Sequence, residues 1–259
     1  MNWNPTWICP ANDLGDPAAV FGTSFVFEKK ITHANLTITA MGVYEARLNG
    51  RRVGQFVMAP GWTSYHKRLQ YQEYDITDLL TNGKNEIEVT VGKGWYRSPL
   101  PGWLGCAYQD ELRSRPCGLA AQIALTFEDG SSKILSTDES WKVSDGPVRF
   151  SEIYDGEIYD SAKTPLLDQP VTIFDGPTDT LILQQGEEVC EQERLAVKKV
   201  FVTPNGETVL DFGQNMTGYV ELFVNAKAGD CVDLSFAEVM DKEGNFYTEN
   251  YRGAKAQYH

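Results

Sequence analysis

Apolar and polar residues alternate at every second position through much of this chain, which limits the fold more than any other feature. The clearest segments are Leu36–Ala40, Tyr44–Leu48, Ile87–Val91 and Leu119–Phe127. Successive side chains on a strand point to opposite faces, so each segment predicts a strand with one buried face and one solvent-facing face. This pattern is typical of antiparallel sheets that cover a core on one side.

Turn-forming dipeptides separate these segments. They are Asn49-Gly50, Asn82-Gly83, Asp129-Gly130 and Asn205-Gly206, and such residues tolerate the positive φ angles of tight hairpins. A sustained 3.6-residue apolar repeat is missing, and only Thr77–Leu80 suggests a short helical turn. We therefore predict an all-β chain built from antiparallel β-sandwiches of the jelly-roll type.

The segment from Lys163 to Thr180 is rich in Pro, Asp and Thr and is predicted to be a linker or a long loop. It divides the chain into a sandwich domain at residues 1–165 and a second region at residues 166–259. The second region is short for a complete sandwich, and we expect it to be the beginning of a larger domain.

Composition excludes several classes of protein. With 42% hydrophobic and 12% aromatic residues the chain can bury a core, and its net charge of −13 argues against a nucleic-acid binder. No apolar run approaches the roughly 18–20 residues of a membrane span. The first residues lack the basic and apolar regions of a signal peptide, and the five cysteines show no CxxC spacing. These features predict a cytoplasmic protein with reduced thiols.

An aromatic loop follows one of the predicted strands. Gly92 and Gly94 are expected to end the strand and to present Trp95, Tyr96 and Trp103 near the edge of the sheet. Aromatic faces provide a large, stiff surface that suits the C–H face of a sugar ring. The alternative is that these rings close the end of the core.

An acidic segment lies at Phe150–Asp160. If it is extended, Asp155 and Glu157 share a face about 7 Å apart, a spacing within the roughly 6.5–9.5 Å of inverting glycosidases, although any such pair on a strand gives it. Three interpretations remain open: a Ca²⁺ site that includes Asp160, hydrogen bonds to sugar hydroxyls, or a structural turn in which Asp caps backbone N–H groups.

The sequence does not specify a catalytic centre. It contains no Gly-x-Ser-x-Gly elbow, no P-loop and no glycine-rich dinucleotide motif, and its three histidines are widely separated. We therefore nominate no catalytic residue.

Several long motifs closely resemble the β domains of bacterial α-L-rhamnosidases, and they occur in the same order. Together they extend over nearly the whole chain. The motifs are Ala40–Gly54, Ala59–Tyr65, Gln70–Leu80, Gly94–Tyr96, Ile153–Asp160, Leu210–Tyr219, Ala237–Gly244 and Asn250–Arg252 with Ala254.

This resemblance implies a galactose-binding-like sandwich followed by part or all of a concanavalin-like sandwich. The enzymes are inverting glycoside hydrolases whose catalytic carboxylates lie on an (α/α)₆ barrel that follows the β domains. The motifs of that barrel are not found in this sequence. The chain is therefore expected to be a fragment that is inactive alone and requires no cofactor.

Some family members bind L-rhamnose with the help of Ca²⁺. The resemblance thus suggests partners, namely rhamnose-containing oligosaccharides or glycosides and the catalytic barrel. The sugar-binding candidates are Trp95, Tyr96, Trp103, Asp155 and Glu157, those for Ca²⁺ are Asp155, Glu157 and Asp160, and those facing the barrel are Asp211, Gln214 and Asn215.

Three hypotheses follow for the function of the chain. The first is the non-catalytic β portion of an α-L-rhamnosidase that removes terminal α-L-rhamnosyl residues. The second is a free-standing carbohydrate-binding module. The third is a structural domain that docks on the barrel through an apolar surface.

Overall fold

A computed structural model describes residues 3–98, 111, 114–251 and 253–259. Nearly all regular structure in these residues is β-strand, which confirms the all-β prediction. The N-terminal strands are β1 (Trp7–Pro10), β2 (Ala19–Phe27), β3 (Ile31–Met41), β4 (Val43–Leu48), β5 (Arg51–Arg52), β6 (Leu69–Asp75), β7 (Gly83–Gly92), β8 (Gly118–Phe127), β9 (Ser132–Ser136), β10 (Lys142–Asp145), β13 (Gln169–Phe174) and β14 (Leu181–Leu183).

These strands form two hydrogen-bonded layers that share β13. One layer has the order β14-β6-β3-β8-β1-β13, with β9 beside β8, and the other has the order β13-β10-β2-β7-β4-β5. Strand β13 pairs with β10 through Gln169 and Pro170 and with β1 through Val171–Phe174. Strands that follow residue 165 thus pair with strands that precede it, while the proposed division at that residue stays a prediction.

The main core lies between the two layers. Leu36 and Ile38 of one layer and Phe21 and Val89 of the other are each 0% exposed and belong to one cluster of buried side chains. The buried faces predicted for Leu36–Ala40 and Ile87–Val91 are therefore confirmed. Apolar burial of this kind is the main favourable contribution to folding.

A second cluster covers the opposite face of β3 and β8 near one end. It contains Trp7, Met41, Tyr65, Leu69, Tyr96 and Ala120. Thr39 is consequently 0% exposed, and its hydroxyl donates to the Gln70 carbonyl at 2.6 Å. The prediction of a solvent-facing side for this part of β3 was wrong, because the loops between β4 and β6 fold over it.

The predicted turn between β4 and β5 is confirmed. Asn49 and Gly50 have φ angles of 52° and 75°. The Asn49 side chain also donates to the Leu79 carbonyl and to Asn85 Oδ1, both at 2.9 Å. The short helical turn is present as a 3₁₀ turn at Thr77–Leu79.

The remaining strands form small sheets. Their bounds are β11 (Val148–Glu152), β12 (Gly156–Tyr159), β15 (Lys199–Val202), β16 (Thr208–Asp211), β17 (Leu234–Ser235), β18 (Val239–Met240), β19 (Phe246–Tyr247) and β20 (Gln257–Tyr258). Strands β11, β12, β20 and β17 make one sheet in that order, while β15 pairs with β16 and β18 with β19.

Large apolar side chains are exposed in this C-terminal part. Val202 is 65% exposed and Phe223 is 88% exposed. This part of the chain has therefore not buried its own apolar surface, in contrast to the N-terminal sandwich. Among the described residues, no helix is long and apolar enough to cross a membrane.

Candidate functional site

The predicted aromatic loop begins with one helical turn, α1 (Gly94–Arg97), directly after β7. Gly94 has a φ of 52°, and a Cβ added to it would lie 2.5 Å from Cγ1 and 3.0 Å from the backbone nitrogen of Val43. Only glycine fits this conformation and this close approach without strain. The junction places Tyr96 in the second core cluster and Trp95 against that cluster.

Trp95 stacks on Trp62. Their rings are nearly parallel, with 6° between the planes and 6.0 Å between the centroids, and Trp62 is 53% exposed. The pair presents an aromatic surface to solvent beside α1. Trp62 lies within the family-like motif Ala59–Tyr65 but is not among the predicted sugar-binding residues, and its position directly after Gly61 was the available signal.

Tyr96 lies in the interior. It is 2% exposed, and its ring meets Tyr65 edge to face at 5.4 Å between centroids. Burial raises the pKa of the Tyr96 hydroxyl to about 12, although Arg115 acts in the opposite direction. The position of Tyr96 matches the alternative in which the ring closes the core. Trp103 lies outside the described residues.

The acidic segment is not one extended strand. Asp155 lies in the turn between β11 and β12, where its carboxylate pairs with Lys255 Nζ at 3.2 Å. Glu157 lies on β12, and Asp160 accepts a hydrogen bond from the Ala162 amide at 3.0 Å. Among the described residues, no three His, Cys, Asp or Glu side chains come together as a metal site. Asp155, Glu157 and Asp160 as placed do not fit a Ca²⁺ ion.

Glu157 lies where β20 pairs with the hairpin of β11 and β12. Its carbonyl accepts from the His259 amide at 3.0 Å, and the Tyr159 amide donates to the His259 carbonyl at 2.9 Å. Burial raises the pKa of the Glu157 carboxyl. The segment nominated for sugar contact thus makes a parallel strand pairing with β20.

A buried ion pair next to α1 was missed by the sequence analysis. Lys93 Nζ lies 2.8 Å from Glu152 Oε1 and 3.2 Å from Asp16 Oδ1, and the Glu152 side chain is only 6% exposed. Burial lowers the pKa of Lys93, but the two carboxylates outweigh this effect and the pKa is raised overall. The three residues are distant in sequence, so no local motif marks them.

The candidates for contact with a barrel lie at the end of β16. The Asp211 carboxylate accepts a hydrogen bond from the Gly213 amide at 2.6 Å, so its partner lies within its own loop. Gln214 and Asn215 are exposed. Their orientation towards another domain stays a prediction.

Two family models match the chain in sequence order. The α-L-rhamnosidase N-terminal domain matches residues 29–193, and the bacterial α-L-rhamnosidase concanavalin-like domain matches residues 201–259. Among curated proteins, an α-L-rhamnosidase of Streptomyces avermitilis is 37% identical over 239 residues, and one of Formosa agariphila is 34% identical over 244 residues. These alignments include 88% and 90% of this chain but only 23% and 26% of the relatives.

Solved structures show the same relation. The α-L-rhamnosidase of Aspergillus terreus superposes with a TM-score of 0.91 at 36% identity, over 98% of this chain and 31% of that protein. The Streptomyces avermitilis enzyme, solved in complex with L-rhamnose, gives a TM-score of 0.84 at 35% identity, over 93% of this chain and 24% of that one. The chain therefore spans about a quarter to a third of the length of these relatives.

Proposed function

Since the chain belongs to the family of α-L-rhamnosidase N-terminal domains, we propose that it is the non-catalytic β-sandwich portion of a cytoplasmic α-L-rhamnosidase. The observation that carries this proposal is the match of two rhamnosidase β domains in order along one chain. The whole enzyme would hydrolyse terminal α-L-rhamnosyl residues with inversion. The β portion would support the catalytic domain and help to hold the substrate.

The exposed apolar side chains of the C-terminal part support the scaffold role. Phe223 is 88% exposed and Val200 is 62% exposed, which is unusual for side chains that remain in water. We propose that further β structure and the catalytic domain of the same enzyme cover this surface.

The activity of the 259-residue chain tests this proposal. We expect no turnover of an aryl α-L-rhamnoside by this chain alone, whereas the same chain joined to a family catalytic barrel should hydrolyse it. The assay is the release of the aryl alcohol, with the uncatalysed reaction as the blank. Turnover by the chain alone would contradict a non-catalytic role.

A second role, sugar binding, is favoured by the stacked pair of Trp62 and Trp95. An exposed indole face can pack on the apolar face of a pyranose ring, because an aromatic side chain offers a large and rigid contact surface. The relative from Streptomyces avermitilis was solved with L-rhamnose, which makes this sugar the natural probe. We propose that rhamnosyl groups stack on Trp62.

Replacing Trp62 with Ala should weaken the binding of L-rhamnose at this surface about tenfold, because the exposed ring of the pair is lost. Titrations followed by tryptophan fluorescence and by amide chemical shifts measure this change. Phe223→Ala is the matched control, since it removes another exposed aromatic ring from the C-terminal part. Equal binding by both variants and the unchanged chain would rule out the Trp62 surface.

A further inference from the structure

A cavity of about 290 Å³ opens beside α1, and Tyr96, Asp155 and Glu157 do not line it. Its walls come from the loop before β2, the end of β7, α1, the residues that lead into β8 and Ser151 of β11. Lys93, which precedes α1, and Arg97 of α1 line it, whereas Trp62 and Trp95 do not. Its size lies just below the roughly 300–1,000 Å³ typical of small-molecule sites.

The cavity wall combines hydrogen-bond donors, acceptors and apolar surface. Lys93, Arg97 and Arg115 supply donors, and Asp13 and Asp16 supply carboxylate acceptors. The apolar part of the wall is formed by Pro10, Leu14, Pro17, Val91 and Pro116. A ligand that suits this space both donates and accepts hydrogen bonds, as hydroxyl groups do, and also presents a C–H surface.

Two cations of the wall, Lys93 and Arg115, are already paired with carboxylates, which argues against an anionic ligand. Lys93 lies between Glu152 at 2.8 Å and Asp16 at 3.2 Å. Arg115 pairs with Glu111 at 2.5 Å. An added carboxylate or phosphate would compete with these partners and approach the carboxylate of Asp16.

The thiol in the wall adds no charge. Cys117 Sγ lies 4.0 Å from Arg97 Nη1, and burial raises the pKa of this thiol. The sulfur is therefore an S–H group at neutral pH, so the wall as a whole suits an uncharged ligand.

We propose that this cavity binds one uncharged pyranose unit of a saccharide, at a site separate from the Trp62 and Trp95 surface. The proposal rests on the rhamnosidase function proposed above. Sugar hydroxyls would accept hydrogen bonds from Lys93 and Arg115 and donate to Asp13 and Asp16. The C–H face of the ring would pack on the proline and leucine side chains of the wall.

A titration of the full chain with L-rhamnose, followed by two-dimensional amide NMR, tests this site. We expect shifts at the amides of Gly15, Gly92 and Cys117. The double variant Asp13→Asn/Asp16→Asn should weaken this binding about tenfold or more, because it removes charged acceptors. Both residues are exposed, so the fold should persist.

Asp138→Asn is the matched control. Asp138 is exposed and accepts from the Ser140 amide at 2.8 Å, just as Asp13 accepts from the Gly15 amide at 2.9 Å, but it does not line the cavity. Asp138→Asn should leave the affinity unchanged. Ser151→Leu, which fills the cavity without altering a charge, should abolish the cavity shifts and serves if the double variant is unstable.

Three results would overturn the proposal. Shifts confined to the residues around Trp62 and Trp95 would leave sugar binding in place but remove this cavity as a site. Tighter binding of D-galacturonate than of L-rhamnose would identify an anion site instead. Shifts at neither surface would contradict both sugar-binding proposals, while the non-catalytic role would still be judged by the turnover assay.

Discussion

Replacing Lys93 with Met should lower the free energy of unfolding by about 3 kcal/mol, because it leaves the buried carboxylate of Glu152 without its cation. The Glu152 side chain is 6% exposed, and its Oε2 atom is buried without a hydrogen-bond partner in the described part of the chain. The Lys93 ammonium also lies 5.6 Å from the centre of the Phe150 ring. Met at this position keeps an apolar contact with the ring but loses the cation–π attraction.

Lys84→Met is the control for this substitution. Lys84 pairs with Glu86, but both side chains are more than half exposed, so the loss should stay within about 0.5 kcal/mol. Urea unfolding of the three proteins gives the comparison. Removing both charges, as in Lys93→Met/Glu152→Leu, should recover most of the stability, since a buried pair replaced by apolar groups is often neutral.

A loss for Lys93→Met no greater than that for Lys84→Met would show that the pair is unimportant for stability. A double variant as unstable as Lys93→Met would show that packing, and not the unpaired charge, explains the loss. The pair joins the end of β7 to β11. A large effect would therefore also mean that the Lys93–Glu152 pair holds α1 and the acidic hairpin together.

The alternating segments allowed four strands of the N-terminal sandwich, β3, β4, β7 and β8, to be predicted from sequence. Leu36, Ile38 and Val89 are buried as expected because strand geometry alone fixes which side chains share a face. Asn49-Gly50 forms the expected hairpin because its positive φ angles are a local property of those residues. Local geometry is therefore where the sequence was most informative.

Contacts between distant segments were not predictable in the same way. The stacking of Trp62 on Trp95 and the pairing of Lys93 with Glu152 depend on how loops cross, and no spacing in the sequence encodes that. Thr39 is buried because a loop covers its face, against its polar character. The two neighbouring aromatic residues after Gly94 also differ in a way that the sequence does not reveal. Tyr96 packs inwards on Tyr65, whereas Trp95 stacks on the exposed ring of Trp62.

Gly156→Ala should release the C-terminal strand from the acidic hairpin and lower stability by about 2–4 kcal/mol. Gly156 has a φ of 95°, and a Cβ there would lie 2.0 Å from the carbonyl oxygen and 2.9 Å from the carbonyl carbon of Gln257. Backbone atoms cannot move aside by a change of rotamer. The two strands must therefore separate. The alanine also adds the roughly 1–2 kcal/mol cost of a left-handed conformation.

The contacts at risk extend along the whole junction. The Lys255 amide donates to the Tyr154 carbonyl at 2.7 Å, and the Lys255 ammonium pairs with Asp155 at 3.2 Å. Leu234 pairs with Tyr258 on the other side of β20, so β17 loses its neighbour as well. The acidic segment thus connects the two parts of the chain through its backbone and through the Asp155 carboxylate.

Gly130→Ala separates the two contributions to this effect. Gly130 also has a positive φ, 78°, but a Cβ there meets no atom within 4 Å, so this variant carries only the conformational cost. Hydrogen exchange at the amides of Tyr159 and His259 should accelerate in Gly156→Ala and stay unchanged in Gly130→Ala, and urea unfolding should show the larger loss for Gly156→Ala. Equal protection and equal stability in both variants would mean that the strand pairing does not hold the junction, because the close approach at Gly156 is what distinguishes the two glycines.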